Sequence, residues 1–177
     1  LFHYQCNVTL PKNYIEWNEF ISIFINHLLD RYGKKEVESW YFEFWNEPNI
    51  AEDLGNFGGQ FLDATKEEYF YFFKETFKTI KSIDENIKMG GPATSNNKWV
   101  KDFIEYCENN GLKIDFVSTH QYPADIVVCS DYGKEQIQKV VTTFKNDPTK
   151  ALNDFIKFKT ECWKDVPRGI LTTMAKK

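Results

Sequence analysis

The chain has 177 residues, of which 42% are hydrophobic and 27% charged, and its formal net charge is −4. This composition excludes collagen-like, low-complexity and wholly disordered classes, and a chain of this length can bury enough surface for one core. The mildly acidic, unclustered charge argues against nucleic-acid and anionic-membrane partners, and no apolar run in the sequence has the length of a membrane-spanning helix.

The first part of the chain predicts a helix between two strands. Residues 1–5 are typical of the end of a strand. Asn13 is a candidate cap for the helix that follows, whose apolar residues recur at helical spacing and which we expect to end near Gly33. Residues 40–45, Trp-Tyr-Phe-Glu-Phe-Trp, then form a short aromatic strand that Pro48 stops, before a Gly-rich loop.

Two further pairs of helix and strand follow this loop. The capping box at residues 65–68, Thr-Lys-Glu-Glu, begins a second amphipathic helix. Residues 87–90 predict a short strand that ends at a Gly-Pro turn. A third helix around residues 99–107 leads to another strand at residues 116–119.

The last part of the chain predicts helices at residues 134–144 and 149–163, separated by Asp147 and its following proline, and another that begins near Arg168. Short apolar strands that alternate with amphipathic helices indicate an α/β fold of right-handed βαβ units with a parallel sheet. Because no linker or repeat interrupts the pattern, we expect residues 1–177 to form a single domain. A doubly wound sheet and part of a (β/α)8 barrel both fit, and both place ligand sites at the carboxyl ends of the strands.

The sharpest chemical feature is the sequence Trp-Asn-Glu-Pro-Asn at residues 45–49. Glu47 follows the aromatic strand, and a carboxyl group walled by Phe44 and Trp45 is poorly solvated. Desolvation favours the neutral form of a carboxyl group, which can donate a proton to a glycosidic oxygen. Asn46 can offer amide hydrogen bonds to a sugar hydroxyl. Strict alternation puts Asn46 and Glu47 on opposite faces, so both serve one site only if the strand end twists or bulges.

A second candidate set follows the strand at residues 116–119, in Ser-Thr-His-Gln-Tyr-Pro. His120 and Tyr122 share a face under two-residue alternation and suit the binding of hydroxyls or the orientation of a carboxylate. The alternative is a core histidine and a packing tyrosine. Glu43 has the same parity as Glu47, so it is either structural or a supporting carboxylate of the same site.

We predict no metal and no cofactor. The four cysteines, Cys6, Cys107, Cys129 and Cys162, do not form a CxxC-type zinc or redox pattern, and the three histidines are scattered. Residues 90–94, Gly-Gly-Pro-Ala-Thr, lack the patterns of phosphate-binding loops. We interpret them as a tight turn that leaves room at the mouth of the sheet.

Taken in order, these motifs resemble those of glycoside hydrolase family 39, the β-xylosidase and α-L-iduronidase family. The resemblance covers roughly residues 1–125 and is carried by RYG at 31–33, EV at 36–37, WYFEFWNEPN at 40–49, GGPAT at 90–94 and DFVSTHQYP at 115–123. The sequence WNEPN alone indicates only the wider group of retaining (β/α)8 hydrolases.

The resemblance implies a partial TIM barrel: the end of strand three through strands four to six with their helices, so that this chain alone does not close the barrel. It implies a retaining mechanism with two carboxyl groups, in which Glu47 is the general acid/base. Asn46 would bind the 2-hydroxyl of the sugar, His120 and Tyr122 would line the sugar subsite, and Trp45 would offer an aromatic face. The expected partner is a carbohydrate, a β-xyloside or xylo-oligosaccharide.

The resemblance also implies a nucleophilic Glu at the end of the strand after the one that carries His120, and the sequence contains no such strand. Glu161, in Thr-Glu-Cys-Trp, matches poorly because it lies in a helical, Lys-rich stretch before the segment at 167–177. We therefore expect the nucleophile beyond Lys177 and no full activity for this chain alone. Open sheet edges would then favour self-association.

Three other interpretations stay open. The first is another retaining barrel hydrolase, such as a mannanase, an endoglucanase or an α-L-iduronidase. The second is a non-catalytic carbohydrate-binding half barrel, and the third, which lacks a phosphate loop, is a doubly wound nucleotide-binding domain. The compartment is also open: no charged-then-apolar leader is visible, which slightly favours the cytoplasm, but a chain that begins at Leu1 looks truncated.

Overall fold

The computed structural model describes residues 8–50, 61–122, 131–158 and 160. Several predictions lie outside these residues: the strand at 1–5, the Gly-rich loop, Cys6, Cys129, Cys162, Glu161 and the helix near Arg168. The chain divides into two compact units, one of residues 1–50 and 60–120 and one of residues 51–59 and 121–177. None of the described helices is both long enough and apolar enough to cross a membrane.

The first unit alternates helices and strands as the sequence predicts. Its elements are α1 (Tyr14–Tyr32), α2 (Lys34–Val37), β1 (Tyr41–Glu43), α3 (Lys66–Ile83), β2 (Lys88–Ser95), α4 (Val100–Asn109) and β3 (Phe116–His120). In the second unit, the described residues form α5 (Asp131–Phe144) and a further helical stretch at 148–158. The Asp147 side chain accepts the backbone N–H of Lys150 at 2.9 Å, so it caps this last stretch as its place before a proline indicates.

The three strands form a parallel sheet in the order β1-β2-β3. This confirms the predicted α/β fold with a parallel sheet. Since parallel strands run in one direction, their carboxyl ends lie at the same edge. Glu43, Ser95 and His120, the last residues of β1, β2 and β3, therefore end at one edge of the sheet.

Two strand boundaries were predicted wrongly. The strand predicted at residues 40–45 has only three residues in β1, and the turn predicted after residue 90 does not exist. Gly91 and Pro92 instead continue β2, where they pair with Val117 and Ser118 of β3. Proline is tolerated here because the register of the pairing shifts directly after it, between Pro92 and Thr94.

Local side-chain chemistry fixes the helix ends. The side-chain Oδ1 atom of Asn13 accepts the backbone N–H of Ile15 at 2.9 Å and so caps α1. Thr65 and Glu68 form the predicted capping box of α3, each accepting a hydrogen bond from the other's backbone. Gly33, with a φ of 85°, ends α1 in a conformation that a side chain rarely adopts.

The core of the first unit is aromatic. The buried face of α3 carries Tyr69, Phe72 and Phe73, which are fully buried. Phe72 meets Phe44 edge-on at 4.8 Å, and Phe73 meets Phe103 of α4 at 4.7 Å between ring centroids. Such edge-to-face pairs add about 0.5–1.5 kcal/mol each to the burial of their area. The aromatic packing thus joins α3 and α4 to the segment that follows β1.

Cys107, on the buried face of α4, is predicted to resist alkylation in the folded protein. Its side chain is 1% exposed, and burial raises the pKa of its thiol to about 12. At pH 8 the reactive thiolate is then scarce, so we expect iodoacetamide to modify Cys107 about 10²-fold more slowly than in denaturant. Peptide-resolved mass spectrometry measures this for Cys107 alone. Equal rates in the native and denatured protein would contradict a buried thiol.

Candidate active site

Three acid–base side chains meet at the carboxyl edge of the sheet. His120, the last residue of β3, places its Nδ1 atom 3.2 Å from Oε1 of Glu47. Its Nε2 atom lies 3.5 Å from Oε1 of Glu43, the last residue of β1. The imidazole ring therefore stands between two carboxyl groups that are four residues apart in the sequence. A cluster of this kind can hold a proton and pass it on.

The three side chains differ in their access to solvent. The side chain of Glu47 is 9% exposed, that of His120 25% and that of Glu43 38%. Phe44, next to Glu47 in the chain, is also buried. Glu47 thus lies in the poorly solvated position that the aromatic sequence around it predicts.

The backbone between β1 and Glu47 is not extended. Trp45 has a φ of 63° and Glu47 a φ of 43°, both in the left-handed region that non-glycine residues seldom occupy. Such conformations cost about 1–3 kcal/mol each and persist only where their surroundings hold them. The side chains of a strand alternate between its two faces, but β1 ends at Glu43. The prediction that Asn46 and Glu47 lie on opposite faces of a strand therefore does not apply. Asn46 is exposed beside the buried Glu47.

The backbone of Glu47 is hydrogen-bonded to β2 at the point where the pairing of β2 with β3 is irregular. At Ala93, where the pairing with β3 shifts, the backbone has a φ of 53°. The Ala93 carbonyl accepts the backbone N–H of Glu47 at 2.8 Å. Just beyond this point, the His120 carbonyl accepts the N–H of Asn96 at 2.8 Å. The irregular end of β2 thus touches both residues of the closest pair in the site.

The hydroxyl group of a buried tyrosine contacts the backbone of both β2 and the segment after β1. The Tyr69 hydroxyl donates to the Pro92 carbonyl at 2.7 Å and lies 3.0 Å from the Phe44 carbonyl. Burial, with a smaller contribution from Glu43, raises the pKa of Tyr69 well above its usual range. The hydroxyl therefore stays protonated as a donor. Nothing in the sequence singled out Tyr69 beyond its place on the apolar face of α3.

Asn49 fixes the segment that carries Glu47. Its side-chain amide donates to the Ser95 carbonyl at 3.0 Å, and its carbonyl oxygen accepts the Ser95 N–H at 2.8 Å. Asn49 is 1% exposed and Ser95 7%. The amide group thus imitates one more strand residue paired with β2. Asn49 was not among the predicted site residues, although its place in the Trp-Asn-Glu-Pro-Asn motif was the available signal.

Asn49→Ala is predicted to destabilise the folded protein. The change leaves the buried N–H of Ser95 without its partner, at about 1–3 kcal/mol, and removes one of the hydrogen bonds to the Ser95 C=O, which still accepts the backbone N–H of Lys98 at 3.3 Å. We expect the free energy of unfolding to fall by about 2–4 kcal/mol. Asn110→Ala is the matched control, because the Asn110 amide bonds an exposed helix end. Equal denaturant midpoints for the two variants would show that Asn49 does not hold this segment.

The other predicted site residues are placed differently. Trp45 is part-buried, donates its indole N–H to the Phe61 carbonyl at 2.9 Å and packs against Phe72 at 5.6 Å between centroids. Much of this ring belongs to the core, and its contact with a sugar stays a prediction. Tyr122 falls in the second unit and is 61% exposed. Its role, like that of Asn46, stays a prediction.

Within the described ranges, no group of three or more His, Cys, Asp or Glu side chains is arranged to hold a metal ion. The ionisable groups of Glu43, Glu47 and His120 are suited to proton transfer. Glu47 is the buried carboxyl group, His120 contacts it at 3.2 Å, and Glu43 contacts the other ring nitrogen of His120.

The chain is similar to a known protein family and to individual proteins of known activity. A family model described as glycosyl hydrolases family 39 matches residues 1–162. A β-xylosidase of Caldicellulosiruptor saccharolyticus is 42% identical over 136 residues, which are 77% of this chain and 26% of that protein. An α-L-iduronidase of Canis lupus familiaris is 23% identical over 154 residues, covering 77% of this chain and 23% of that protein.

Among solved structures, a monomeric β-xylosidase from Caulobacter crescentus CB15 superimposes with a TM-score of 0.62 at 37% identity. The match covers 70% of this chain and 23% of that one. This chain therefore spans about a quarter of the length of these relatives.

Proposed function

This chain belongs to glycosyl hydrolase family 39, and from that premise we propose that it supplies the acid/base half of the active site of a retaining, β-xylosidase-like hydrolase. One observation carries the proposal: the Glu47 carboxyl group is buried at the carboxyl edge of a parallel sheet, 3.2 Å from His120. Ligand sites of α/β barrels lie at that edge. Under this proposal β1, β2 and β3 are strands four to six of a (β/α)8 barrel.

The proposed reaction has two displacements. In the first, Glu47 gives its proton to the glycosidic oxygen while a nucleophilic carboxylate attacks the anomeric carbon and the C–O bond breaks. In the second, Glu47 takes a proton from a water molecule, whose oxygen attacks the anomeric carbon and releases the nucleophile. Glu47 thus ends the cycle protonated, as it began. We propose that the nucleophile comes from outside the described residues.

The proposed substrate is a β-xyloside or a xylo-oligosaccharide. Two features support a neutral sugar over a uronide. Glu43, whose carboxyl group faces His120, brings a negative charge to this edge, so an anionic substrate would meet a like charge there. This chain is also 42% identical to a β-xylosidase, against 23% for an α-L-iduronidase.

The sheet edges suggest how the unit is completed. β1 and β3 are the outer strands of the described sheet, and Tyr41 and Val117 on them are 65% and 44% exposed. We propose that further strands of a barrel, or another copy of the chain, pair with these edges, since unpaired edges invite association. In the barrel version, residues 1–177 are part of one domain.

Replacement of Glu47 by alanine tests the assignment. Loss of a general acid slows cleavage of a poor leaving group far more than cleavage of an activated one. A residue that only supports the fold would slow both alike.

A further inference from the structure

His120 has two ring nitrogens, and each faces a different carboxyl group. A neutral imidazole carries one N–H donor and one acceptor nitrogen, and the neighbours decide which is which. Nε2 faces Glu43 at 3.5 Å, and Nδ1 faces Glu47 at 3.2 Å. The two contacts therefore constrain each other, because the proton on one nitrogen limits what the other can do.

The carboxylate charge is better solvated on Glu43 than on Glu47, since their side chains are 38% and 9% exposed. An ionised carboxylate only accepts hydrogen bonds, so a charged Glu43 favours the N–H on Nε2. Nδ1 of the neutral ring is then an acceptor. Its contact with Glu47 Oε1 is a hydrogen bond only if Glu47 carries the proton.

The same number of protons can also be distributed differently, with both ring nitrogens of His120 protonated and Glu47 ionised. Both arrangements hold one proton between Nδ1 and Oε1, and both are stabilised by the negative charge of Glu43. From this geometry we propose that Glu43 is a positioning residue, which acts through His120 to keep on Glu47 the proton that a leaving group receives. The proposal rests on the proposed acid/base function of Glu47.

β2 pairs with both of the strands that carry Glu43 and His120. Glu43 pairs with Gly90, and His120 pairs with Ser95, so β2 sets the spacing between β1 and β3. Among the residues that the structure describes, the charged groups that face His120 from the neighbouring elements are Glu43 of β1 and Glu47 after it. At this end of β2, residues 90–95 are uncharged. The charge of Glu43 therefore has no counter-charge at this end of β2, whose Lys88 lies at the other end of the strand.

The test is Glu43→Gln in the natural protein that contains this chain, with a series of aryl β-xylosides. We expect kcat/KM to fall about 10-fold for phenyl β-xyloside and to change little for 2,4-dinitrophenyl β-xyloside. The basic limb of the pH profile should move to lower pH, because without the Glu43 charge the shared proton is lost more easily. Glu43→Gln should add little in a His120→Asn background, because the effect passes through His120.

Glu85→Gln is the matched control, since Glu85 is an exposed carboxylate in the turn after α3. An equal loss on all substrates with an unmoved pH limb would make Glu43 a structural residue and overturn the inference. If Glu43→Gln does not fold, Glu43→Asp decides, because its shorter side chain draws the charge away from Nε2. Its pH limb should move the same way by less, and an unmoved limb overturns the inference. If Glu47→Ala lacks a leaving-group dependence, the proposed function itself fails.

Discussion

Glu47→Ala in the natural protein is expected to lower kcat/KM for phenyl β-xyloside by about 10²–10⁴-fold, the usual contribution of a positioned general acid. The same change should affect 2,4-dinitrophenyl β-xyloside far less, because its leaving group departs without a proton. The cause is the loss of the buried carboxyl group that contacts His120 at 3.2 Å. Steady-state kinetics over a series of aryl xylosides measures the divergence.

Azide adds a second readout to the same variant. With Glu47 absent, the second displacement lacks its general base, and azide, which needs no base, should raise turnover of the activated substrate. The product should be β-xylosyl azide, whose retained configuration reports two displacements. Glu85→Ala, which removes an exposed carboxylate, should behave as the unaltered protein. A uniform loss on all substrates with no azide product would remove Glu47 from the acid/base role.

Gly90→Ala is expected to separate the two strands that carry the site. A Cβ atom at Gly90 would lie 2.2 Å from the Phe116 carbonyl oxygen and 2.8 Å from the Phe116 ring. Gly90 pairs with Phe116 in the sheet, so β2 and β3 must move apart to admit a methyl group. Overpacking usually costs about 1–3 kcal/mol, and against backbone we expect about 3 kcal/mol or more, with activity lost on every substrate.

Gly91→Ala is the neighbouring control. A Cβ atom there would meet the end of the Phe103 ring at 3.5 Å, which is ordinary van der Waals contact. We expect its free energy of unfolding to change by less than about 1 kcal/mol. Denaturant unfolding of the two variants measures the difference. Equal destabilisation would mean that the close approach of β2 and β3 is not what requires Gly90.

The features that sequence reasoning predicted correctly depend on nearby residues. Asn13 and the Thr65–Glu68 box cap helices through contacts within a few positions. The meeting of Glu47 with His120 follows from one further rule, that parallel strands end at the same edge. Local chemistry plus one topological rule was therefore enough to bring the central pair together.

The features that were missed depend on distant partners. Glu47 adopts its left-handed backbone where its N–H meets Ala93, far away in the sequence. Pro92 lies in a strand because β3 pairs with it there, although Gly-Pro ordinarily marks a turn. The contact of Glu43 with His120 also required the spacing of three strands. None of these partners can be read from the residues that flank each position.

The paired amide of Asn49 has a consequence for how such a protein can diversify. The Asn49 side chain forms two hydrogen bonds with the backbone of Ser95, one as donor and one as acceptor. These bonds fix the short segment that carries Glu47 against β2. Sequence changes farther along the chain can then accumulate without moving Glu47. Under the proposed function, natural variation can accordingly change the preferred sugar while the proton donor stays in place.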